Sequence, residues 1–396
     1  MSPQNRKIKI THLRTSHGIF GAESVILGLL KATNGDDFEA SVTLIGSEPD
    51  LNQDFSHEIR RLGFGVKDFL FNGRLDWTGV RRLRSYICEQ NFDLIHCHDF
   101  KANFYGLVAT LGTGVKRVTT VHGSTKDSLL LKFYLGFNEY FLIRFFHKVI
   151  AVSEPLTKEL WARLIRAKKV AFVPNGLDLD FFDASREGRI EESDLPIFSS
   201  KIVMGIVGRL FPDKGHEDLF EALTLLKDEF PNLVLLVVGD GPQAEYLRFR
   251  RDEMGLQDRV IFAGARLDMR KVYHSMDLFV MPSIREGLPM ALLEAMLGEI
   301  PVIATRAGGM KSLLGQGERG LAVNPCDPKG LANGIRTLIL HPDIARLMAE
   351  KASAFVRAEY SSETMARRTE ALYSEVLGRT DCSRAETLTE QLLGQR

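Results

Sequence analysis

Two glutamates, Glu286 and Glu294, stand eight positions apart in EGLPMALLEAM (286–296), between the apolar runs DLFVMPS (277–283) and PVIAT (301–305). Such runs read as buried strands, and a carboxylate at the mouth of a buried sheet is costly to desolvate unless something pairs with it. Pro289 suits the first turn of a helix and Gly287 permits the bend into it, which leaves Glu286 in the loop ahead and Glu294 in the second turn. The unpaired amides of such a helix start attract phosphate. The stretch therefore offers amides for an anion between two carboxylates that accept hydroxyl hydrogens. The plain alternative is a surface helix with ordinary capping acids.

A second stretch, GIVGRLFPDKGHEDLFEAL (205–223), places Arg209 and Lys214 in the loop between a strand and a helix. Two cations at the carboxyl edge of a sheet suit a departing diphosphate, whose charge grows as its bond breaks. A third, VVGDGPQAEYL (237–247), is a strand, a glycine loop and a helix, where Gly239 and Gly241 let ligand or backbone approach closely. It also fits the G-x-G-x-x-A pattern of dinucleotide binding, but sits late in its half for the usual opening βαβ unit. A nucleotide sugar needs these parts together: a diphosphate held in the middle, ribose hydroxyls on one side and sugar hydroxyls on the other. In HCHD (96–99), His96 and His98 share a strand face with Cys97 opposite; with no further ligand in view nearby, a metal site is not expected. His98 and Asp99 are expected to line an acceptor pocket instead.

Alternating apolar runs and amphipathic stretches must position these residues. The first half carries KIKITHL (7–13), ASVTLIG (40–46), FDLIHCH (92–98), KRVTTVH (116–122), KVIAVS (148–153) and VAFVPN (170–175); the second adds KIVMGIVGR (201–209), NLVLLVVG (232–239) and RVIFAG (259–264). This alternation predicts an α/β protein of parallel sheets covered by helices on both faces. Polar DASREGRIEESDLPIFSS (183–200) reads as a linker, giving domains at 1–178 and 179–360. A helix over 361–377 is expected to pack back towards the first domain, ahead of a polar tail at 378–396. Ligands of doubly wound sheets sit beyond the carboxyl ends of the strands, so two such domains are expected to face one cleft.

With 44% hydrophobic and 26% charged residues and no apolar run of spanning length, the 396 residues read as a soluble globular protein. Cys88, Cys97, Cys326 and Cys382 form no CxxC, which fits a reducing cytosol better than a disulfide framework. The start has basic residues without a following apolar stretch and reads as a first strand, not a signal peptide. Residues 1–174 carry 24 Lys and Arg against 17 Asp and Glu, an excess of seven positive charges that the remainder cancels. A basic half is expected to meet something anionic, such as a membrane surface or a phosphorylated acceptor. LLLKFYLGFNEYFLIRFFHKV (129–149) reads as an interfacial helix or, preferably, as a helix packed into the first domain with its cations reaching outward. Zero net charge and the lack of a dense basic run argue against nucleic-acid binding.

Together GRLFPDKG, VVGDGP and MPSIREGLPMALLEAMLGEIPVIAT, with GAESVI, DLIHCHD, VHG, AVSE and PNGLD before them, resemble the retaining nucleotide-sugar glycosyltransferases of glycosyltransferase family 4 over nearly the whole chain. The resemblance implies the GT-B fold, two doubly wound Rossmann-like domains facing an interdomain cleft. It implies that Glu286 holds the donor sugar and its reacting carbon, that Glu294 binds the ribose hydroxyls, and that Arg209 and Lys214 neutralise the leaving diphosphate. Gly239, Gly287, Leu288, Pro289 and Met290 fall where the family's backbone meets the donor, and Arg266 and Leu267 of GARLD (264–268) where it cups the nucleobase. Gly18 and Gly21 in HGIFGAE match the glycine loop over the donor phosphates, with Phe20 where the family often has an adjacent glycine. His122 in VHG matches a histidine that touches the transferred sugar, and joins Glu286, Arg209 and Lys214 in the expected catalytic set. Ser153 is expected to cap a helix and Asn175 to shape the interdomain loop.

The implied reaction moves a sugar from a nucleotide-diphosphate-sugar to a hydroxyl of a glycan or lipid-linked acceptor. Its implied setting is bacterial surface polysaccharide or lipopolysaccharide assembly, without cofactor or metal. The expected location is the cytoplasm, with peripheral contact at the inner face of the membrane. A catalytically silent nucleotide-sugar-binding scaffold of the same fold is the alternative. An oxidoreductase built on GDGPQA would bind NAD and would call for an early G-x-G-x-x-G, which is missing.

Overall fold

The computed structural model describes residues 6–15, 21–33, 35, 37–47, 53–72, 75–122, 141–179 and 201–379. Gly18, residues 129–140 of the aromatic stretch, the expected linker at 183–200 and the tail beyond 379 lie outside the described residues. The chain divides into two compact units, one of Met1–Gly176 with Ser362–Arg396 and one of Leu177–Ser361.

The first unit holds an all-parallel sheet of β1 (Ile8–Arg14), β2 (Phe38–Gly46), β3 (Gly65–Leu70), β4 (Leu94–Cys97), β5 (Lys116–Val121), β6 (Lys148–Ala151) and β7 (Val170–Phe172). Its spatial order is β3-β2-β1-β4-β5-β6-β7. The second unit repeats the plan with β8 (Ile202–Val207), β9 (Leu233–Val238), β10 (Val260–Gly264), β11 (Leu278–Met281), β12 (Val302–Thr305) and β13 (Leu321–Val323), ordered β10-β9-β8-β11-β12-β13. Both sheets are α/β and doubly wound, as expected. The order reverses between β1 and β4 and between β8 and β11, and the crevice beyond the carboxyl ends at such a reversal is where these sheets take ligands.

Apolar runs make these strands because both sheet faces are covered. In the second unit the helix Met290–Leu297 lays Leu292, Leu293 and Met296 against Phe279 and Val302, while the helix His216–Leu226 lays Leu219, Phe220 and Leu223 against Leu235 and Val237 on the other face. In the first unit the helix Ser362–Leu377 returns from the end of the chain, and its Tyr373 is fully buried in a cluster with Ile10, Leu94 and Val118. Leu177 N donates to Tyr360 O at 2.7 Å and Leu177 bridges to Ser361, so the chain enters and leaves the second unit side by side.

Two edge strands, β3 and β13, are not anticipated from the sequence. β3 exposes most of its side chains, and β13 is three residues long, so neither makes a recognisable apolar run. The stretch ending at 149 is also not helical throughout. Leu142–Phe145 forms a 3-10 turn, and Lys148 opens β6, whose Val149 and Ile150 are buried between β5 and β7. Ser153 caps the helix Glu154–Ala162 by accepting from Leu156 N at 3.4 Å. No described helix is long and apolar enough to cross a membrane.

Candidate functional site

In the second unit, both strand ends at the order reversal carry charge. Lys214 closes a 3-10 turn, Pro212–Lys214, beyond β8, and Glu286 lies in the loop beyond β11. Lys214 Nζ donates to Glu286 Oε1 at 2.5 Å, and Ser283 Oγ donates to the same oxygen at 3.0 Å. Backbone ties set this contact: Ile284 N donates to Asp213 O at 2.8 Å, and Thr305 Oγ1 donates to Ser283 O at 2.5 Å. The second carboxylate oxygen of Glu286 has no partner among the described residues. Arg209 is exposed, rests 4.7 Å above the Phe211 ring and pairs with no acid among the described residues.

The corner at Glu286 is clamped by the loop after β12. Gly308 takes a left-handed φ of 54°, and a Cβ there would come within 1.8 Å of the Glu286 carbonyl oxygen. Gly309 N donates to Gly287 O at 3.2 Å. Gly287, expected to make the bend, takes no left-handed φ; the residue that needs to be glycine here is Gly308, because the incoming carbonyl occupies its side-chain space. Pro289 stands at the N-cap of Met290–Leu297 without a side-chain cap, and the amides of Leu288 and Met290 have no partner among the described residues. Glu294 lies in the second turn, where its Oε2 accepts from Tyr273 Oη at 2.6 Å. Burial pushes Glu294 up to about 7 and holds the Tyr273 phenol well above its ordinary value.

The loops after β8, β9 and β10 lie against one another. Gly239, at φ 134°, would set a Cβ 1.9 Å from Gly208 O, and its own amide donates to Gly264 O at 2.8 Å. The close approach that sequence left open between ligand and backbone is thus made by backbone. Arg266 donates to both oxygens of Asp268, at 2.8 and 2.5 Å, which holds that carboxyl below its usual range. Leu267, between them, is 99% exposed.

The first unit carries a buried histidine group. His12 and His96 are register partners on β1 and β4, His98 follows β4, and His122 follows β5. His12 Nδ1 shares a hydrogen bond with His98 Nε2 at 2.9 Å, and His98 Nδ1 lies 3.5 Å from His122 Nε2. His96 bonds to Tyr373 Oη at 2.6 Å and to Thr120 Oγ1 at 2.7 Å. Ligand atoms of His12, His96 and His98 lie within 4.8 Å of one another, a set able to hold a metal ion; His12 joins HCHD from 86 positions before His98. Burial lowers His12 to about 4, and burial with the Arg14 guanidinium lowers His122 to about 3, so both rings are neutral near pH 7. Asp99 caps the helix Phe100–Thr110: its oxygens accept from Ala102 N at 2.9 Å and Thr15 N at 2.6 Å. Gly21 opens the helix Gly21–Thr33.

The fold thus brings Lys214 and Glu286 into contact and sets Arg209, Glu294 and the helix start in the same unit, with His98 and His122 in the other. Sequence reasoning missed Ser283, Tyr273, Gly308 and His12. Ser283 sits only three positions before Glu286, but the other three reach their partners from separate elements and leave no local signal.

Comparison with known proteins follows the same division. The family model for Glycosyltransferase Family 4 matches residues 19–181, and that for Glycosyl transferases group 1 matches residues 189–355. The UDP-Gal:alpha-D-GlcNAc-diphosphoundecaprenol alpha-1,3-galactosyltransferase of Escherichia coli is 28% identical, over 79% of this chain and 83% of its own. The capsular polysaccharide biosynthesis glycosyltransferase CapM of Staphylococcus aureus is 26% identical, over 69% of this chain and 74% of its own. Among solved structures, Anabaena Alr3699/HepE in complex with UDP superposes with a TM-score of 0.78 at 25% identity, over 93% of this chain and 100% of its own.

Proposed function

The chain belongs to glycosyltransferase family 4, the group 1 glycosyl transferases of GT-B fold, and from that premise we propose that it moves a sugar from a UDP-sugar to a hydroxyl of a glycan or lipid-linked acceptor, with retained anomeric configuration, in bacterial surface polysaccharide assembly. UDP is the nucleotide in the Anabaena complex and the donor nucleotide named for the Escherichia coli relative. The observation that carries the reading is the contact of Lys214 with Glu286, in the loop that leads into the helix Met290–Leu297. With donor bound, the diphosphate takes the Lys214 ammonium, the exposed Arg209 and the helix amides, and Glu286 turns to the sugar hydroxyls. The acceptor attacks from the side on which the diphosphate leaves, and a leaving phosphate oxygen takes its proton. Positioning and charge stabilisation then supply the rate without a protein nucleophile, a metal or a cofactor.

Calorimetry with UDP, GDP, ADP and NAD, with a chelator present, tests this. UDP is expected to bind tightly; NAD binding alone would sink the transferase reading. The titration of Glu294 adds a second readout. A raised carboxyl gains charge as pH rises through its pKa, and only the ionised form accepts both ribose hydroxyl hydrogens. A group at about 7 goes from about one-eleventh ionised at pH 6 to about ten-elevenths at pH 8, so affinity for UDP rises by up to about tenfold over that span. Glu294→Gln keeps only the phosphate's own titration and binds more weakly at pH 8. An equal pH slope in the two proteins would count against the ribose assignment.

Peripheral contact with an anionic bilayer belongs to the same proposal. Phe141, Phe145, Trp161 and Leu164 are exposed in the first unit, with Arg144, Arg163 and Lys169 joined to one another through backbone carbonyls beside them. Exposed aromatic and aliphatic side chains among cations suit a lipid headgroup layer. Flotation with phosphatidylglycerol vesicles but not with phosphatidylcholine vesicles is the expected result, and equal behaviour with both overturns it.

A further inference from the structure

His12, His98 and His122 form a line of three rings joined nitrogen to nitrogen, His12 Nδ1 to His98 Nε2 and His98 Nδ1 to His122 Nε2. One end of the line is closed: His12 Nε2 is buried and has no hydrogen-bond partner. The other end is only half-buried at His122, whose Nδ1 has no partner among the described residues. Buried neutral imidazoles carry one N–H each, so a line joined this way has only two arrangements. Either every ring is protonated on Nδ1 and the N–H bonds point from His12 towards His122, or every ring is protonated on Nε2 and they point back. The second arrangement strands an N–H at His12 Nε2, and a buried N–H without an acceptor is the costlier and rarer orphan. The first leaves only a lone pair there. Arg14 lies alongside, donating to His98 O at 2.9 Å and to Glu23 Oε1 at 3.0 Å; its positive charge further disfavours a charged ring in the line.

We infer that His12, acting through His98, is a positioning residue that holds His122 in the tautomer with its proton on Nδ1. The inference rests on the reading that His122 touches the transferred sugar. At this half-buried end His122 then presents a hydrogen-bond donor to an oxygen of the substrate, and has no lone pair there with which to act as a base. His96 stays outside the line, because both its nitrogens are held by Tyr373 and Thr120.

The test is a two-bond ¹H–¹⁵N correlation spectrum of the full chain with labelled histidine, in which the two neutral tautomers have distinct patterns; His122 is assigned by the signal lost in His122→Asn. The expected result is a protonated Nδ1 and a bare Nε2. A protonated Nε2 overturns the inference, as does a metal ion retained by the purified protein on these rings. Where His122→Asn fails to fold, through-bond correlation from the assigned backbone identifies the His122 ring, so the wild-type spectrum still decides the matter. His12→Asn, whose amide can donate in place of Nδ1–H, is expected to keep the His122 pattern and most of the turnover. His12→Phe is expected to mix the two tautomers and to lower turnover by at least about tenfold, with UDP affinity changed by less than about twofold, since a wrong tautomer damages chemistry more than binding. An unchanged His122 pattern in His12→Phe also overturns the inference. A protein that binds no UDP would sink the transferase reading while leaving the tautomer result standing.

Discussion

Lys214→Ala lowers turnover by about 10²–10³-fold, the scale for losing one preorganised electrostatic contact to charge that develops in the transition state. Lys214 and Glu286 are only 18% and 11% exposed at their side chains, so water is a poor substitute for the missing ammonium. The substitution acts twice: it withdraws the cation from the leaving diphosphate, and it leaves the Glu286 carboxylate with Ser283 as its remaining partner. Lys214→Arg recovers little, because a planar fork does not reproduce a point contact at 2.5 Å. Single-turnover transfer, read beside a thermal melt that shows the variant folded, measures the effect. Near-normal turnover in a folded Lys214→Ala protein overturns the role given to Lys214. Arg209→Ala costs less, since that guanidinium is already exposed to solvent.

Gly308→Ala is the second large effect, and it arises without removing a polar atom. A left-handed backbone occupied by a non-glycine residue costs about 1–3 kcal/mol. Here the Glu286 carbonyl also stands 1.8 Å from where the methyl would be, so the two loops must part. Parting them moves Glu286 away from Lys214, and a misplacement of about 1 Å costs roughly 10²-fold in rate. The control is Gly287→Ala, which meets nothing within 4 Å and needs no left-handed backbone, so its stability should stay within about 0.5 kcal/mol of wild type. Urea unfolding and turnover on both variants check this. Equal stability of Gly308→Ala and wild type would remove the clamp from the account.

The doubly wound architecture was legible because its central strands are nearly unbroken apolar runs buried on both faces, as in LVLLVV of β9. Of the four edge strands, β7 and β10 keep apolar runs and were legible, whereas β3 and β13 carry polar or very short sequences and escape that reading. The charged residues of the candidate site were legible for a related reason. Arg209 and Glu286 follow apolar runs, and in a parallel sheet the residues after a run fall at the carboxyl edge. Their supports were not legible. Tyr273 reaches Glu294 from 21 positions away and His12 reaches His98 from 86, by contacts that exist only once helices and strands have packed. Gly287 attracted the bend because glycine is read locally, whereas the positive φ belongs to Gly308 on a later loop.

The helix Ser362–Leu377 also fixes the order in which the protein can be finished. The second unit is an insertion, Leu177–Ser361, between the two parts of the first. During synthesis the insertion is complete while the first sheet still lacks Tyr373, the side chain that covers Ile10, Leu94 and Val118 and bonds to His96. The half of the chain made first is therefore the half closed last, and a ribosome that stops short of residue 362 releases a finished second unit joined to a sheet on one face of which the helix Gly21–Thr33 packs without its partner Ser362–Leu377.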